Sequence, residues 1–465
     1  MFSWDKTICI SIILFCFLTL AGCESERSKN EPQEKSTYFI DSLNGNDSYD
    51  GLSESAAWKS IEKINSLELN PGDKVFFKRG SEFSATIIIN DSGSLEGPII
   101  LTDYGDDQLP PPSFTNPVFD SENKNYGNCI RIKGSYVIVE NLYCHHTVAE
   151  LPSNVGSFLT MWELGTIYID KGAEHCIVRN NELFDCGVGI KSYGHFSTIE
   201  NNYIHDCNRV LKQWSWGPIG IWLGADYQEV CYNRIKNYSA VNPNITWGPD
   251  SYGGGADGGA IEIDDARYDK SHIHIHHNYS SHCQGFIEVT WTDVEQHPAY
   301  ENFSIHHNVS DDFQQFIALW QGKNCRIENN TIIRRKVNAN DWGVFNITQF
   351  ESKNLIRNNI VVTENDVIIF NLGKNGTAKP DNIIENNLYW AASGELKMGL
   401  EGPGEPAIIA DPLFLNYESG ELATDFSLTQ NSPAIDMGMD LGYQTDFNKT
   451  EIPQSEKPDL GAFEF

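Results

Sequence analysis

Ile273-His-Ile-His-His-Asn278 returns thirty residues later as Phe303-Ser-Ile-His-His-Asn308. The same pattern, a short apolar strand closed by asparagine, runs outward from this pair in both directions. Upstream it reads Val230-Cys-Tyr-Asn233, Thr198-Ile-Glu-Asn-Asn202, Ile177-Val-Arg-Asn-Asn181 and Val137-Ile-Val-Glu-Asn141. Downstream it reads Ile327-Glu-Asn-Asn330, Leu355-Ile-Arg-Asn-Asn359 and Ile383-Ile-Glu-Asn-Asn387. From Asn181 on, the closing asparagines are 21, 31, 45, 30, 22, 29 and 28 residues apart. A strand, a bend and a unit of at least 21 residues describe one coil of a parallel β-helix, an all-β solenoid. Asparagine suits the bend because its amide tolerates a tight turn and bonds the backbone of the next coil.

Cysteines keep step with the repeat. Cys186, Cys207 and Cys283 each follow the closing asparagine by five residues, and Cys176 and Cys325 precede it by five. With Cys129, Cys144 and Cys231 they make eight thiols after Cys23. Stacked columns of small, soft side chains fill a solenoid interior, so packing is expected rather than disulfides or metal ligation. His272, His274 and His276 alternate and so share one strand face, extended by His306; a solvated polar ladder is expected there.

The two ends differ from the middle. Thr37 to Asp47 gives a strand and a turn, Ala57 to Asn65 has helical spacing, and Pro71 to Gly80 gives a turn and a strand. An open solenoid end exposes strand edges, so residues 37–127 are expected to form an N-terminal cap with a short helix and the first coils. Residues 128–395 then carry the regular coils, and residues 396–465 form a C-terminal capping segment. Asp41, Asp47 and Asp50 near the start read as Asx turns rather than calcium ligands.

At the N-terminus, Lys6 precedes the apolar run Ile8 to Leu20, which is too short for a membrane span. Leu20-Ala-Gly-Cys23 follows and resembles the bacterial lipobox. The resemblance implies a signal peptide over residues 1–22, lipid attachment at Cys23, a tether over residues 23–36 and anchorage to the outer membrane. The net charge of −31 argues against nucleic acid as a partner.

Chemistry concentrates in Gly258-Gly-Ala-Ile-Glu-Ile-Asp-Asp265 and, one repeat later, Gly285-Phe-Ile-Glu-Val-Thr-Trp291. If Ile261, Ile263, Ile287 and Val289 face the core, Glu262, Asp264 and Glu288 face out together. Packing alone does not call for three neighbouring carboxylates, so these are the candidate catalytic residues. Aligned by coil, the same outward face carries Asp170, Lys191, Trp222 and Trp320, with His195 close by. Trp214, Trp216, Trp247 and Asp257 lie in the insertions 208–218 and 239–257 that lead into the acidic strands, and Trp291 closes the second acidic stretch. Aromatic faces beside carboxylates suit sugar rings, so these residues are the candidate substrate contacts.

Asp411-Pro-Leu-Phe414, Ser432-Pro-Ala-Ile-Asp436 and Pro458-Asp-Leu-Gly-Ala-Phe-Glu464, together with the N-terminal stretch, resemble the flanks of bacterial right-handed parallel β-helix proteins that act on polysaccharides. The resemblance implies the right-handed form of the solenoid and an enzyme with a polysaccharide substrate; with the export signal, an exported enzyme is expected, and a monomer. Neighbouring strands lie ~4.8 Å apart and alternate residues ~6.6 Å apart, so Asp264 and Glu288 are separated by roughly 8 Å. That lies within the range for an inverting glycoside hydrolase, ~6.5–9.5 Å, which requires no cofactor. The alternative is a Ca2+-dependent lyase. Glu262-x-Asp264 with Arg267 and Lys270 resembles the calcium-binding acids and lysine of the alginate lyase and chondroitinase B family. That family's arginine on the next strand has no counterpart in Phe286 to Trp291, which leaves Lys191, His195, Arg209 and Lys212 upstream as the candidate bases. A non-catalytic glycan-binding protein is the third reading.

Overall fold

A computed structural model describes residues 35–120, 122–148, 162–207, 216–239, 257–265, 267–289, 300–319, 322–335, 343–347, 353–371, 381–399 and 401–465, with Trp216 and Asp257 described by backbone alone. Cys23, Trp214, Trp247, Trp291 and Trp320, and with them the expected signal peptide and lipid site, lie outside these residues.

Each coil lays down three strands, and successive coils pair in parallel to build three long sheets. Sheet A has twelve strands, from Thr37–Ile40 to Ile383–Glu385. Sheet B also has twelve, from Glu82–Phe83 to Ala407–Ile409, and sheet C has eleven, from Ile87–Ile89 to Lys397–Gly399. The β-branched residues at alternate positions turn inward: Val178, Ile199, Val230, Ile275, Ile305 and Ile327 line sheet A, all buried in one continuous core. Ile261, Ile263, Ile287 and Val289 do the same for sheet C, as their alternation with acids implies.

The paired asparagines divide two tasks. The first of each pair takes the left-handed backbone conformation, with φ of 55° at Asn180, 53° at Asn201 and 51° at Asn329. Asparagine enters that region more readily than most residues. The second is buried and forms a ladder from Asn181 through Asn202, Asn233, Asn278, Asn308, Asn330 and Asn359 to Asn387. At Asn202 the side-chain oxygen accepts the Asn181 backbone N–H at 3.1 Å, and its amide donates to Val178 O at 2.9 Å and to Asn233 Oδ1 at 3.0 Å. The same bonds recur at Asn278 and Asn308. A buried polar side chain is thereby satisfied on each coil.

All eight described cysteines are buried thiols. Seven belong to the solenoid core; Cys231 does not. The histidines depart from the expected single face. His272 precedes its strand at φ 53°, so its ring leaves the His274–His276 face. It joins a corner stack with Tyr136, His175, Phe196 and Tyr227, with ring centroids 4.8–5.0 Å apart.

At the N-terminal end a short helix, Glu62–Asn65, docks through Asn65, which donates to Thr86 O at 2.9 Å and accepts from Ile88 N at 2.8 Å. Asp41, Asp47 and Asp50 each accept nearby backbone N–H groups through a carboxylate oxygen. At the other end, strands continue past residue 395, to Lys397–Gly399 and Ala407–Ile409. The chain then runs back along the outer face of sheet B. Phe426, Leu428, Leu460 and Phe463 cover Tyr279, Val309, Ile333, Ile360, Val362 and Leu388 there.

Candidate active site

The outward face of sheet C carries one side chain from each coil in strict register. Arg131, Tyr168, Lys191, Trp222, Glu262, Glu288, Ala318 and Asn346 follow one another across seven parallel pairings. Glu262 and Glu288 are therefore direct neighbours on adjacent strands, Asp257–Ile263 and Ile287–Val289. Asp264 follows Glu262 by two residues on extended chain, its N–H bonded to Leu223 O at 3.1 Å. Glu262 is only 5% exposed, whereas Asp264 and Glu288 are half-buried. Solvent thus meets Asp264 and Glu288, with Glu262 behind them.

Lys191 and Trp222 face outward as expected, yet both are 0% exposed. Trp162, from the segment between two coils, packs against Trp222 at 5.1 Å between ring centroids. Lys191 Nζ lies 2.9 Å from the Trp222 centroid and 5.5 Å from that of Trp162. Burial holds the ammonium well below its ordinary pKa, against the pull of Asp264 and Glu262. These two residues continue the row of the acids along the sheet, closed off from solvent. Asp170 is likewise engaged. Arg131 grips it through two hydrogen bonds of 2.7 and 2.6 Å and also holds Glu163 at 2.7 Å. His195 lies at the corner beyond its strand, its carbonyl accepting the His175 N–H at 3.1 Å.

One wall of the site was not foreseen. Asp265, fully buried at φ 74°, accepts hydrogen bonds from Tyr193 Oη at 3.0 Å and from Arg267 Nε at 2.7 Å. Burial alone would raise its carboxyl, but the Arg267 and Tyr193 hydrogen bonds hold it below its ordinary pKa. Arg267 in turn lies over Trp162 at 4.7 Å. Lys270 is buried with Nζ donating to Asp265 O and Tyr268 O, and burial lowers it to about 8. Arg267 and Lys270 thus serve the turn after the acidic strand. The sequence signal was the Asp264-Asp265 doublet: a second acid, one residue out of phase, belongs to the turn.

Trp216 and Asp257 correct the insertion boundaries. Both open strands, Trp216–Leu223 and Asp257–Ile263, and they pair with each other across a register shift. Asp257 thus stands at the head of the strand that ends beside Asp264.

Comparison with known proteins accords with this architecture. No family model matches the sequence. The chain is 27% identical over 336 residues to the lacto-N-biosidase of Bifidobacterium longum subsp. longum; the match takes in 59% of this chain and 20% of that protein. Among solved structures, the pectate lyase Pel9A superposes with a TM-score of 0.52 at 15% identity, covering 93% of this chain and 97% of that one. XylC in complex with xylose superposes with a TM-score of 0.53 at 10% identity, covering 92% and 98%. The fold is the right-handed parallel β-helix. At these identities the two structures speak for the fold alone, and the chain spans a fifth of the length of the lacto-N-biosidase.

Proposed function

We propose that this protein is a glycoside hydrolase whose acid and base are Asp264 and Glu288, with the buried Glu262 two residues before Asp264 and directly opposite Glu288. The observation that carries the reading is the register of Glu262 against Glu288, with Asp264 two residues beyond. The backbones of these two half-buried residues lie on a diagonal of roughly 8 Å, and carboxyls that keep this spacing leave room for a water molecule. One carboxyl would protonate the leaving oxygen while the other activates that water. The 27% identity to a lacto-N-biosidase supports hydrolysis and makes a lacto-N-bioside the first substrate to test. We further propose that the chain is exported, held on the outer membrane by lipid at Cys23, and monomeric.

Elimination is the weaker reading. Of its expected basic residues, Arg267 is tied to Asp265 and Lys270 is buried on two carbonyls. The deciding experiment incubates the mature chain with an aryl lacto-N-bioside and with a panel of algal and plant polysaccharides. Reducing ends and the ultraviolet absorbance of unsaturated uronate are followed, with and without EDTA. Expected are reducing ends without absorbance, insensitive to EDTA and reduced ~10²–10⁴-fold in Asp264→Asn and Glu288→Gln. Activity surviving Glu288→Gln but lost in Asp257→Asn would move the second acid to the head of the same strand. Absorbance that requires metal would overturn hydrolysis. Glycan binding without turnover, unchanged in Glu262→Gln, would make the protein a binding module.

A further inference from the structure

Cys231 is the one described thiol outside the solenoid core, and its surroundings differ from those of the other seven. It sits on the outer face of sheet A, in register with Glu200 on the preceding coil and His276 on the next. Glu229 shares its strand and face. A Glu229 carboxylate oxygen, the Cys231 thiol and a His276 ring nitrogen all lie within 4.8 Å of one another.

The hydrogen bonds behind His276 determine what that nitrogen presents. His277 Nε2 lies 3.0 Å from the carbonyl of Asp446, which only accepts, so Nε2 carries a proton. His276 Nδ1 and His277 Nδ1 are 2.7 Å apart, so one proton lies between them. With both rings neutral, that proton belongs to His276 Nδ1, and His276 Nε2 is a bare lone pair. It then faces Glu229 Oε1 at 3.0 Å, with the Cys231 sulfur beside them. The three groups lie close enough together to ligate one cation, the thiol giving up its proton as it binds.

We propose that Glu229, Cys231 and His276 bind a divalent transition metal of the Zn2+ type. Thiolate, imidazole and carboxylate form a borderline-soft set that suits Zn2+ and disfavours Ca2+ or Mg2+. The His276–His277 contact is the outer hydrogen bond that fixes the ligating ring's tautomer. A tetrahedral site of ordinary bond lengths brings its donors to roughly 3.3–3.8 Å of one another. Glu229 can supply the adjustment, moving slightly away from His276 and toward the sulfur, its side chain being about half exposed. Glu200 stands next in register to take a fourth position, or a water does.

The location suggests a purpose. Asn233 and Asn278 bracket the longest gap in the repeat, 45 residues, which includes the insertion leading into the Glu262 strand. A metal joining strand Glu229–Cys231 to strand His274–His276 would clamp the two coils where the chain departs furthest from the solenoid.

The test uses the full mature chain, stripped with chelator and titrated with Co2+. One cobalt per chain should bind, giving a thiolate-to-cobalt charge-transfer band that Zn2+ abolishes by displacement. Cys231→Ser should lose the band, and Glu229→Gln, a change at an exposed side chain, should weaken binding at least tenfold. Zn2+ should raise the melting temperature of the parent chain and not that of Cys231→Ser. Hydrolysis should persist in Cys231→Ser, since this face is not sheet C. Absence of the band and of any Zn2+ effect on melting in the folded parent would overturn the proposal. The trio would then be an imidazolium–carboxylate pair beside an idle thiol.

Discussion

Asp312 shows what a single buried carboxyl does to this solenoid. It lies inside the coil, where its oxygens accept the Cys283 N–H at 2.8 Å and the Ser310 hydroxyl at 2.7 Å. Burial raises its pKa to about 6, with those hydrogen bonds opposing. The folded value stands above the unfolded one, so the native state holds the proton more tightly and ionisation destabilises it. That penalty is absent below the unfolded pKa, grows as pH rises to about 6 and is complete above it. Asp312→Asn keeps an acceptor for Cys283 and removes the charge. It should stabilise the protein at neutral pH by on the order of 2–3 kcal/mol and flatten the mildly acidic slope. Urea unfolding at two pH values checks this, and a variant no more stable than the parent at neutral pH would refute it. At this scale the alternation of Ile261-Glu-Ile-Asp264 was enough to place the acids in line. The burial of Lys191 and Trp222 was not legible, because Trp162 comes from a segment without periodicity. Nor was the capture of Asp170 by Arg131, which reaches it from the preceding coil.

At the scale of the element, the two asparagines of each turn look alike in sequence and differ in consequence. Asn201 is exposed and valued for its backbone angle; Asn202 is buried and bonded to the coils on both sides. Asn201→Gly should therefore shift stability by less than about 1 kcal/mol, because glycine accepts positive φ freely. Asn202→Ala strands the Asn181 N–H and the Val178 carbonyl and should cost about 3 kcal/mol or more. Chemical denaturation of the two variants side by side tests this; equal losses would mean that the ladder adds nothing beyond the turn. The repeat announced the ladder because satisfying each buried amide demands the same residue on every coil. The helix was harder. Ala57 to Asn65 has the right spacing, but the chain forms only Glu62–Asn65, since Trp58 donates to Phe39 O on the first strand and Ala57 O accepts from Asn46 N in the turn after it.

For the whole molecule, the C-terminal segment governs cooperativity. A solenoid in which each coil touches only its neighbours tends to fray from its ends. Here the tail spans many coils. Tyr279 Oη donates to Gly420 O at 2.6 Å, Thr331 accepts from Ala462 N at 2.9 Å, and Asn358 donates to Met439 O at 2.9 Å. A chain ending at residue 410 would expose Val309, Ile333, Ile360, Val362 and Leu388 as one apolar strip. That truncation should aggregate, or unfold in more than one step, where the full chain gives a single transition; a soluble truncation with one sharp transition would show that the tail is dispensable. The sequence marked the tail by its Asp-Pro and Ser-Pro turns but not its course. Its partners lie more than 80 residues away and follow no period.

The seven interior thiols carry one more consequence. Burial raises Cys176 to about 11 and Cys325 to about 12, so within a closed coil these sulfurs are protonated and shielded from reagents. Each becomes reactive only while its own coil is open. Spread from Cys129 to Cys325, they form a row of chemical clocks along the axis, and the order in which they start to run records where the molecule comes apart first.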